Sequence, residues 1–300
     1  MSVTDYAYVE TTSYCNLACS YCNRGEVVDT PTHMPLFRVS EVIRKLGSGI
    51  REVKLMGMGE PYMHPHFSKI CGMFRNSFPD AFIISSTNGQ HTAFQAVEES
   101  LRYLSMLYIS IDGVGETFER FRTPAKWPKM ISFLEKVSKM DRGNCKIAIN
   151  FTINPENVRQ IDEVNRLVEE FNFDELRLNY VQNWNEGENN DLIGGFTSDD
   201  INYVKNWKHL LKGRPEWDFS DCFWVQRGAY ITANGEIKVC CMNTSTKPIA
   251  NIFSIDEFDA VRSKPEYESI RIGCEQNNPS THCQGCSYKE LTHLIQNTLT

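Results

Sequence analysis

Short strand-like runs alternate with amphipathic helical runs through the first 180 residues of the chain. Six runs are rich in β-branched and aromatic residues, which favour β-strands, and they cover residues 7–12, 52–57, 81–87, 106–112, 146–153 and 175–181. Apolar residues recur at helical spacing between them, over 66–74, 92–104, 130–140 and 157–171. Strands that alternate with helices form right-handed βα units around a parallel sheet. The sequence therefore predicts an α/β fold with a partial (β/α)6 barrel over residues 1–183.

The last third of the chain has a different pattern. Residues 184–195 are rich in Asn, Gly and acids, and a helix is predicted near 199–212. A hairpin is predicted over 228–241, where Asn234-Gly235 is typical of a type I′ turn between alternating strands. Short helices and a Cys-x2-Cys pair follow. We therefore predict a linker with a connecting helix over 184–221 and a small C-terminal β-hairpin/helix domain over 222–300.

Composition argues against several classes of protein. The 300 residues carry a net charge of −7 with acids and bases interspersed, so we expect no nucleic-acid partner. No apolar run approaches the length of a membrane span and no secretory signal is present, so we expect a cytoplasmic protein without a membrane partner. Eleven cysteines in a reducing compartment indicate metal or redox chemistry rather than disulfides. Cys71 and Cys145 fall on apolar faces and are predicted to be core residues.

Small or polar residues follow each of the six predicted strands. In chain order they are Cys15, Cys19 and Cys22, then Gly59 and Glu60, then Asn88, Ser110, Asn150 and Asn179. The carboxyl ends of parallel strands meet at one edge of a barrel, and the active sites of βα barrels lie there. Six such positions in succession predict a binding site at this edge.

The three clustered cysteines predict a metal cluster with an open position. Cys15, Cys19 and Cys22 share one short loop, and no fourth cysteine lies close to them. An iron–sulfur cube usually takes four thiolates, so three leave one iron free for an exogenous ligand. Tyr21 lies between the last two cysteines and is placed to contact a bound planar group. A zinc site completed by His33 or an acid remains an alternative.

The run CNLACSYC resembles the Cys-x3-Cys-x-aromatic-Cys signature of radical S-adenosylmethionine (SAM) enzymes. The resemblance implies that Cys15, Cys19 and Cys22 hold a [4Fe–4S] cluster whose open iron is chelated by SAM. Reductive cleavage of SAM in that family gives a 5′-deoxyadenosyl radical, which abstracts hydrogen from a substrate.

Two further segments extend the resemblance. MGMGEP (56–61) is similar to the Gly-Gly-Glu-Pro strand end of the family, with Met58 where glycine is usual. This implies that Gly59 and Glu60 hold the amino group of SAM. ISIDG and ETFERFR resemble the fourth βα unit. The resemblance implies that Ser110 contacts SAM and that Arg122 pairs with its carboxylate. Asn150 and Asn179 are candidates for contacts with the ribose and adenine edges.

A second set of cysteines resembles the SPASM/Twitch branch of the same family. Cys222 is followed after twelve residues by Gly235 and after four more by Cys240, and Cys283-x2-Cys286 comes later. The resemblance implies one auxiliary iron–sulfur cluster, of the [4Fe–4S] type, held by these four cysteines. Cys241 and Cys274 remain open as free thiols or replacement ligands. Tetrahedral zinc remains an alternative for this set.

The implied activity is that of a radical SAM oxidoreductase-type enzyme. An auxiliary cluster ligated only by thiolates can relay one electron, which favours an oxidised small-molecule product. The barrel starts almost at the first residue, leaving no room for a preceding peptide-recognition domain, and this also favours a small substrate. A reductase or flavodoxin-type protein is the expected electron donor. The alternatives are a maturase that modifies a peptide or protein side chain and a non-catalytic zinc or iron–sulfur binding module.

Overall fold

Nine β-strands form one sheet in the part of the chain that the computed structural model describes, residues 4–182, 195–212, 219–241, 247–281, 283 and 286–299. The strands are β1 (Tyr6–Val9), β2 (Glu52–Leu55), β3 (Phe82–Thr87), β4 (Met106–Ser110), β5 (Lys146–Ile153), β6 (Glu175–Tyr180), β7 (Gly228–Ile231), β8 (Glu236–Lys238) and β9 (Ala250–Asn251). Strands β1 to β6 are parallel and adjacent in chain order. This confirms the predicted six-stranded partial barrel.

The α-helices of the described residues lie on the outer face of the sheet, in the loop after β1 and in the C-terminal region. They are α1 (Arg24–Val27), α2 (Leu36–Leu46), α3 (Phe67–Ser77), α4 (Phe94–Leu101), α5 (Glu116–Phe121), α6 (Trp127–Val137), α7 (Ile161–Glu170), α8 (Ser198–Lys205), α9 (Phe223–Arg227), α10 (Asp259–Arg262), α11 (Pro265–Glu275) and α12 (Ser287–Leu299). Helix α7 is typical, because Ile161, Val164 and Val168 recur at helical spacing and are buried. None of the helices among the described residues combines the length and apolar character needed to cross a bilayer.

Alternation along the strands separates the core from the barrel interior. On β4, Leu107 and Ile109 belong to the main hydrophobic core beneath the helices. Tyr108 lies on the opposite face, where it packs with Ile84 and Ala148 inside the barrel. The outer face is mostly apolar, and its buried polar residue Ser85 donates to Leu55 O at 2.7 Å.

The predicted C-terminal hairpin is present and continues the barrel sheet. Strand β7 pairs in parallel with β1, and β8 pairs antiparallel with β7. The predicted type I′ turn was wrong, since Gly235 has φ +80° but Asn234 is not among the residues with positive φ. Gly235 N donates to Thr232 O at 2.8 Å, so the loop has three residues, 233–235, and only its last residue needs a left-handed backbone.

The connecting helix is shorter than predicted. Helix α8 begins after Thr197, whose side chain forms a capping box with Asp200, and it ends at Lys205. The chain continues in turns from Asn206. The predicted linker over 184–195 falls almost wholly on residues 183–194, which lie outside the described residues.

Candidate active site

The three clustered cysteines lie on the loop between β1 and α1, at the carboxyl end of the barrel. Cys22 is exposed, and Cys15 and Cys19 are partly buried. Burial raises the pKa of Cys19 to about 12, and the positive charge of Arg122 opposes this shift. The thiols of Cys15 and Cys22 lie near enough to Cys19 to raise its pKa further. Three sulfur donors gathered at an open rim are a donor set suited to an iron–sulfur cube with one free iron.

Main-chain hydrogen bonds fix this loop to the end of α5. Ala18 N donates to Thr123 O at 2.7 Å, and Ser20 N donates to Phe121 O at 2.9 Å. Both donors lie between cysteines, one on each side of Cys19. The positions of the thiols are therefore set by backbone contacts rather than by side-chain packing alone.

Gly59 lets the end of β2 pass directly against the cysteine loop. A Cβ atom at Gly59 would lie 2.3 Å from Thr12 O and 2.6 Å from Tyr14 O. Glu60 N also donates to Tyr14 O at 2.8 Å. Only glycine fits this approach of two backbones.

The Glu60 side chain is buried and already has hydrogen-bond donors. Its carboxylate accepts from Asn88 N at 2.7 Å, from Thr87 Oγ1 at 2.9 Å and from Tyr62 N at 3.2 Å. Burial raises the pKa of Glu60 to about 7, although these hydrogen bonds oppose the shift. The side chain thus joins the ends of β2 and β3, and its contact with an amino group of SAM stays a prediction.

Glu10 is a site residue that the sequence reasoning missed. It directly follows β1, it is 2% exposed, and its carboxylate accepts from Met58 N and from Ala233 N. A Cβ at Gly57 would lie 2.6 Å from Glu10 Cγ, so Gly57 leaves room for this side chain. Burial raises the pKa of Glu10 to about 7. A lone acid at the end of an apolar strand was the available signal.

Asp112 connects the cysteine loop to the barrel wall. Its carboxylate accepts from the Tyr21 hydroxyl and pairs with the Arg122 guanidinium. The other carboxylate oxygen accepts from Thr152 N at 2.7 Å. Arg122 is therefore buried beside a counter-ion, and its predicted contact with the carboxylate of SAM stays a prediction.

A cavity of about 300 Å³, the mouth cavity, opens beneath the cysteine loop. The described residues that line it are Tyr8, Tyr21, Cys22, Asn23, Gly57, Met58, Asn150, Thr152, Asn179, Tyr180, Gln182, Tyr230 and Cys241. Asn179 Nδ2 donates to Asn150 Oδ1 at 2.7 Å, so these two predicted contacts form one polar surface. A deeper inner cavity of about 210 Å³ is lined in part by Ser110. The structure thus brings Tyr21, Asn150 and Asn179 together, while Glu60 and Arg122 lie outside the lining.

The second set of cysteines gathers at the amino end of β7. Cys274 Sγ lies 3.9 Å from Cys283 Sγ. Cys222 is close enough to Cys274 and Cys286 for their charges to raise its pKa, and burial is the largest cause of that increase, to about 11. The contact with Cys274 is the largest cause of the raised pKa of Cys283, and the charges of Cys240 and Cys222 raise it further. The four predicted ligands are therefore neighbours, and Cys274 is a fifth.

Helical periodicity places Cys274 in this group. On α11 the buried residues are Tyr267, Ile270 and Cys274, which share one face. Cys241, next to Cys240, lines the mouth cavity. The two cysteines left open by the sequence thus differ, because Cys274 joins the auxiliary set and Cys241 faces the barrel interior.

Aromatic side chains separate the mouth cavity from the auxiliary cysteines. The Tyr8 ring lies 5.4 Å from Tyr230 and 6.0 Å from Trp224, measured between centroids. Cys222, Cys240 and Cys241 pack against the same group. Tyr8 and Tyr230 line the cavity, so part of the aromatic stretch after Cys222 contacts the interior.

The remaining cysteines are structural. Cys71 is fully buried and Cys145 is 3% exposed, both in the main core, as predicted.

Over the described residues, no three or more His, Cys, Asp or Glu side chains are arranged to hold a single metal ion. The donors of a tetrahedral zinc site all meet one ion, whereas those of a cube are distributed over four irons.

Known families match both cysteine regions. Residues 9–168, more than half of the chain, match the radical SAM superfamily, and residues 222–287 match the SPASM iron–sulfur cluster-binding domain. A GTP 3′,8-cyclase of Paenarthrobacter nicotinovorans is 29% identical over 110 residues, which are 35% of this chain and 31% of that protein. The chain thus spans about a third of the length of this relative.

Solved structures share the fold. SuiB of Streptococcus suis bound to S-adenosylmethionine is similar with a TM-score of 0.70 and 17% identity, over 90% of this chain and 68% of SuiB. BtrN in complex with AdoMet and 2-DOIA is similar with a TM-score of 0.57 and 15% identity, over 96% of this chain and 93% of BtrN. The chain therefore belongs to the radical SAM superfamily, carries a SPASM iron–sulfur domain, and has as cofactors a [4Fe–4S] cluster, SAM and auxiliary iron–sulfur.

Proposed function

We propose that the chain binds SAM in the mouth cavity and performs a radical reaction on a substrate held in the barrel interior. The observation that carries this proposal is that Tyr21 and Cys22 of the cysteine loop line the same cavity as Cys241 of the auxiliary segment. A reacting group in this cavity would lie between the two cysteine regions. When bound, the cluster and SAM supply a 5′-deoxyadenosyl radical that abstracts hydrogen.

The residues of this chain would hold and orient the ligand. Cys15, Cys19 and Cys22 would hold the cluster, and the backbone at Gly59 would contact the amino group. Further contacts, ordered from the amino-acid part of SAM to its nucleoside, would be Glu60, Arg122, Ser110, Tyr21, Asn150 and Asn179. The polar pair Asn150 and Asn179 suits the ribose and adenine edges, because it already lines the cavity.

We also propose that residues 222–300 form a Twitch-type domain with one auxiliary cluster. Its ligands would be Cys222, Cys240, Cys283 and Cys286, which the structure brings close together. Taking one electron from a substrate radical would give an oxidised product. The contacts of Tyr230 support such a relay, because its ring lines the cavity and belongs to the aromatic cluster against which Cys222 and Cys240 pack.

The substrate that we favour is a small molecule. With SAM in the mouth cavity, the inner cavity of about 210 Å³ would remain for the substrate, and this volume suits a small group rather than a folded partner. BtrN, of similar length, is described with 2-DOIA. Modification of a peptide is the second candidate, because SuiB is described bound to its precursor peptide SuiA. We further propose a cytoplasmic location and a reductase or flavodoxin-type electron donor.

Anaerobic reconstitution tests the proposal. The wild-type chain is expected to take up about eight irons and eight sulfides, as two cubes require. Reduction with dithionite in the presence of SAM should then release 5′-deoxyadenosine. Cys22→Ala should abolish this release, whereas Cys71→Ala, a buried cysteine of the core, should retain it. Uptake of zinc alone, or release that survives Cys22→Ala, would contradict the proposal.

A further inference from the structure

The inner cavity carries two cations and no acid. It shares Tyr8, Asn150 and Asn179 with the mouth cavity, so the two cavities are adjacent. Lys54 from β2 and Arg177 from β6 line it. None of the described residues that line either cavity is Asp or Glu. The lining of this cavity is thus positive, while Glu52 and Glu175 lie beyond it, close enough to Tyr108 to add to the increase that burial causes in the pKa of that residue.

Two contacts with Tyr108 hold Arg177 in place, but one of its hydrogen-bond donors has no partner. Its Nη1 donates to the Tyr108 hydroxyl at 2.6 Å, and its guanidinium carbon lies 5.1 Å from the centre of the Tyr108 ring. Its Nε is buried and has no hydrogen-bond partner. Over the described residues, no carboxylate lies within ion-pair distance of Arg177. A buried charged donor without a partner is unfavourable, so an acceptor at this position would stabilise the site.

Lys54 adds a second positive charge to the same cavity. Its nearest acid is Glu52 at 3.8 Å, on the same strand, with a side chain that is 37% exposed. Burial lowers the pKa of Lys54, and the charge of Arg177 contributes to that decrease. The two cations therefore repel each other across a space large enough for a ligand group. An anion between them would reverse this unfavourable interaction.

We propose that the inner cavity binds an anionic group of the substrate, a carboxylate or a phosphate, between Arg177 and Lys54. This inference rests on the proposed function, because it names the substrate class of the same site. The planar fork of arginine matches both anions, and lysine adds a point charge. The rest of the substrate then faces the SAM held in the mouth cavity, on the side where Asn150 and Asn179 line both cavities.

Calorimetric titration of the reconstituted enzyme tests this pocket. The unreduced enzyme, saturated with SAM so that the SAM site is filled, is titrated anaerobically with inorganic phosphate and separately with malonate. We expect one of the two anions to bind, and Arg177→Gln and Lys54→Gln each to weaken its Kd at least about tenfold, or 1.4 kcal/mol. Stronger binding of phosphate indicates a phosphorylated substrate, and stronger binding of malonate indicates a carboxylate.

The control is Arg166→Gln, which makes the same change at an exposed position on α7 and should leave the Kd within about twofold. Iron content and cluster absorbance report whether each variant is intact, and Arg177→Lys replaces Arg177→Gln if the latter fails to assemble. Equal affinities in wild type and variants, or no binding of either anion at millimolar concentrations, would overturn the inference. Release of 5′-deoxyadenosine by the wild-type enzyme tests the proposed function separately.

Discussion

Gly59 is the residue at which the fit between β2 and the cysteine loop can be tested most directly. A Cβ there would overlap the backbone oxygens of Thr12 and Tyr14, which cannot rotate away as a side chain would. We expect Gly59→Ala to displace the loop and to reduce iron uptake by about half, since Cys15, Cys19 and Cys22 would hold one of the two proposed cubes. Iron analysis after anaerobic reconstitution measures this loss.

Gly25 provides the matched control, because a Cβ at that position meets nothing within 4 Å. It lies on α1, shortly after Cys22, and is exposed. Gly25→Ala should therefore keep the full iron content and stabilise α1 slightly. Full iron content in Gly59→Ala as well would show that the close approach at β2 is not needed.

His91 is a buried neutral residue behind the cysteine loop. Its Nδ1 accepts from Ala93 N at 3.2 Å, so the ring proton lies on Nε2, which is 2.8 Å from Thr87 Oγ1. Thr87 Oγ1 in turn donates to Glu60. Burial lowers the pKa of His91 to about 4, with a further decrease from the charge of Lys129.

This decrease in the pKa of His91 predicts a loss of stability in acid. Because the unfolded residue has a pKa near 6.5, its contribution is complete above that pH and declines as the pH falls toward 4. Between pH 7.5 and 5.5, the wild type should lose about 1 kcal/mol more unfolding free energy than His91→Gln. Chemical denaturation of the two reconstituted proteins at both pH values measures the difference. Equal losses would show that His91 is not held neutral.

At the scale of the element, the end of β8 carries two adjacent cysteines with different surroundings. Cys240 is near Cys283 and Tyr267, whereas Cys241 lines the mouth cavity. We expect Cys240→Ala to lose the auxiliary cluster, about four irons, and Cys241→Ala to keep it. Iron and sulfide analysis separates the two variants. Loss of the cluster in Cys241→Ala alone would show that Cys241, and not Cys240, is the ligand.

The elements could be predicted from sequence because their signals are local. Period-two and helical spacing placed all six barrel strands, and the hairpin was found from the alternation around Gly235. The turn type was wrong because one extra loop residue changes which position needs positive φ. The membership of Cys274 in the auxiliary set was left open, although its position on the buried face of α11 was available.

For the whole molecule, the pairing of β7 with β1 makes the barrel and the C-terminal hairpin one sheet. Without β7, β1 would be an edge strand with unpaired backbone groups. Lys45 on α2 adds a contact, donating to Ile252 O at 2.9 Å. The two regions should therefore open together, because separating them breaks a central strand pair.

Hydrogen exchange on the full chain tests this cooperativity. Amides of β7 should be protected to a similar extent as those of β2, which flanks β1 on its other side. Mass spectrometry of the peptides that contain each strand measures both rates. Complete exchange of β7 while β2 stays protected would show that the hairpin opens independently.

Contacts between distant parts of the chain were beyond the sequence reasoning. Glu10 accepts from Ala233, more than two hundred residues away, and nothing local to either residue indicates this. The pairing of β1 with β7 also joins distant parts of the chain without a local signal in either strand. The sequence thus predicted the cysteines and the rim, while the arrangement of the acids behind them depended on the sheet order.

The antiparallel turn of the hairpin sets how the two cysteine regions lie along the sheet. The cysteine loop follows the carboxyl end of β1, whereas β8 runs back toward the start of β7 before Cys240. Strand β1, four residues or about 13 Å long, therefore lies between the levels of the two regions. An electron in the proposed relay would cross this distance beside strands that interstrand hydrogen bonds hold in register.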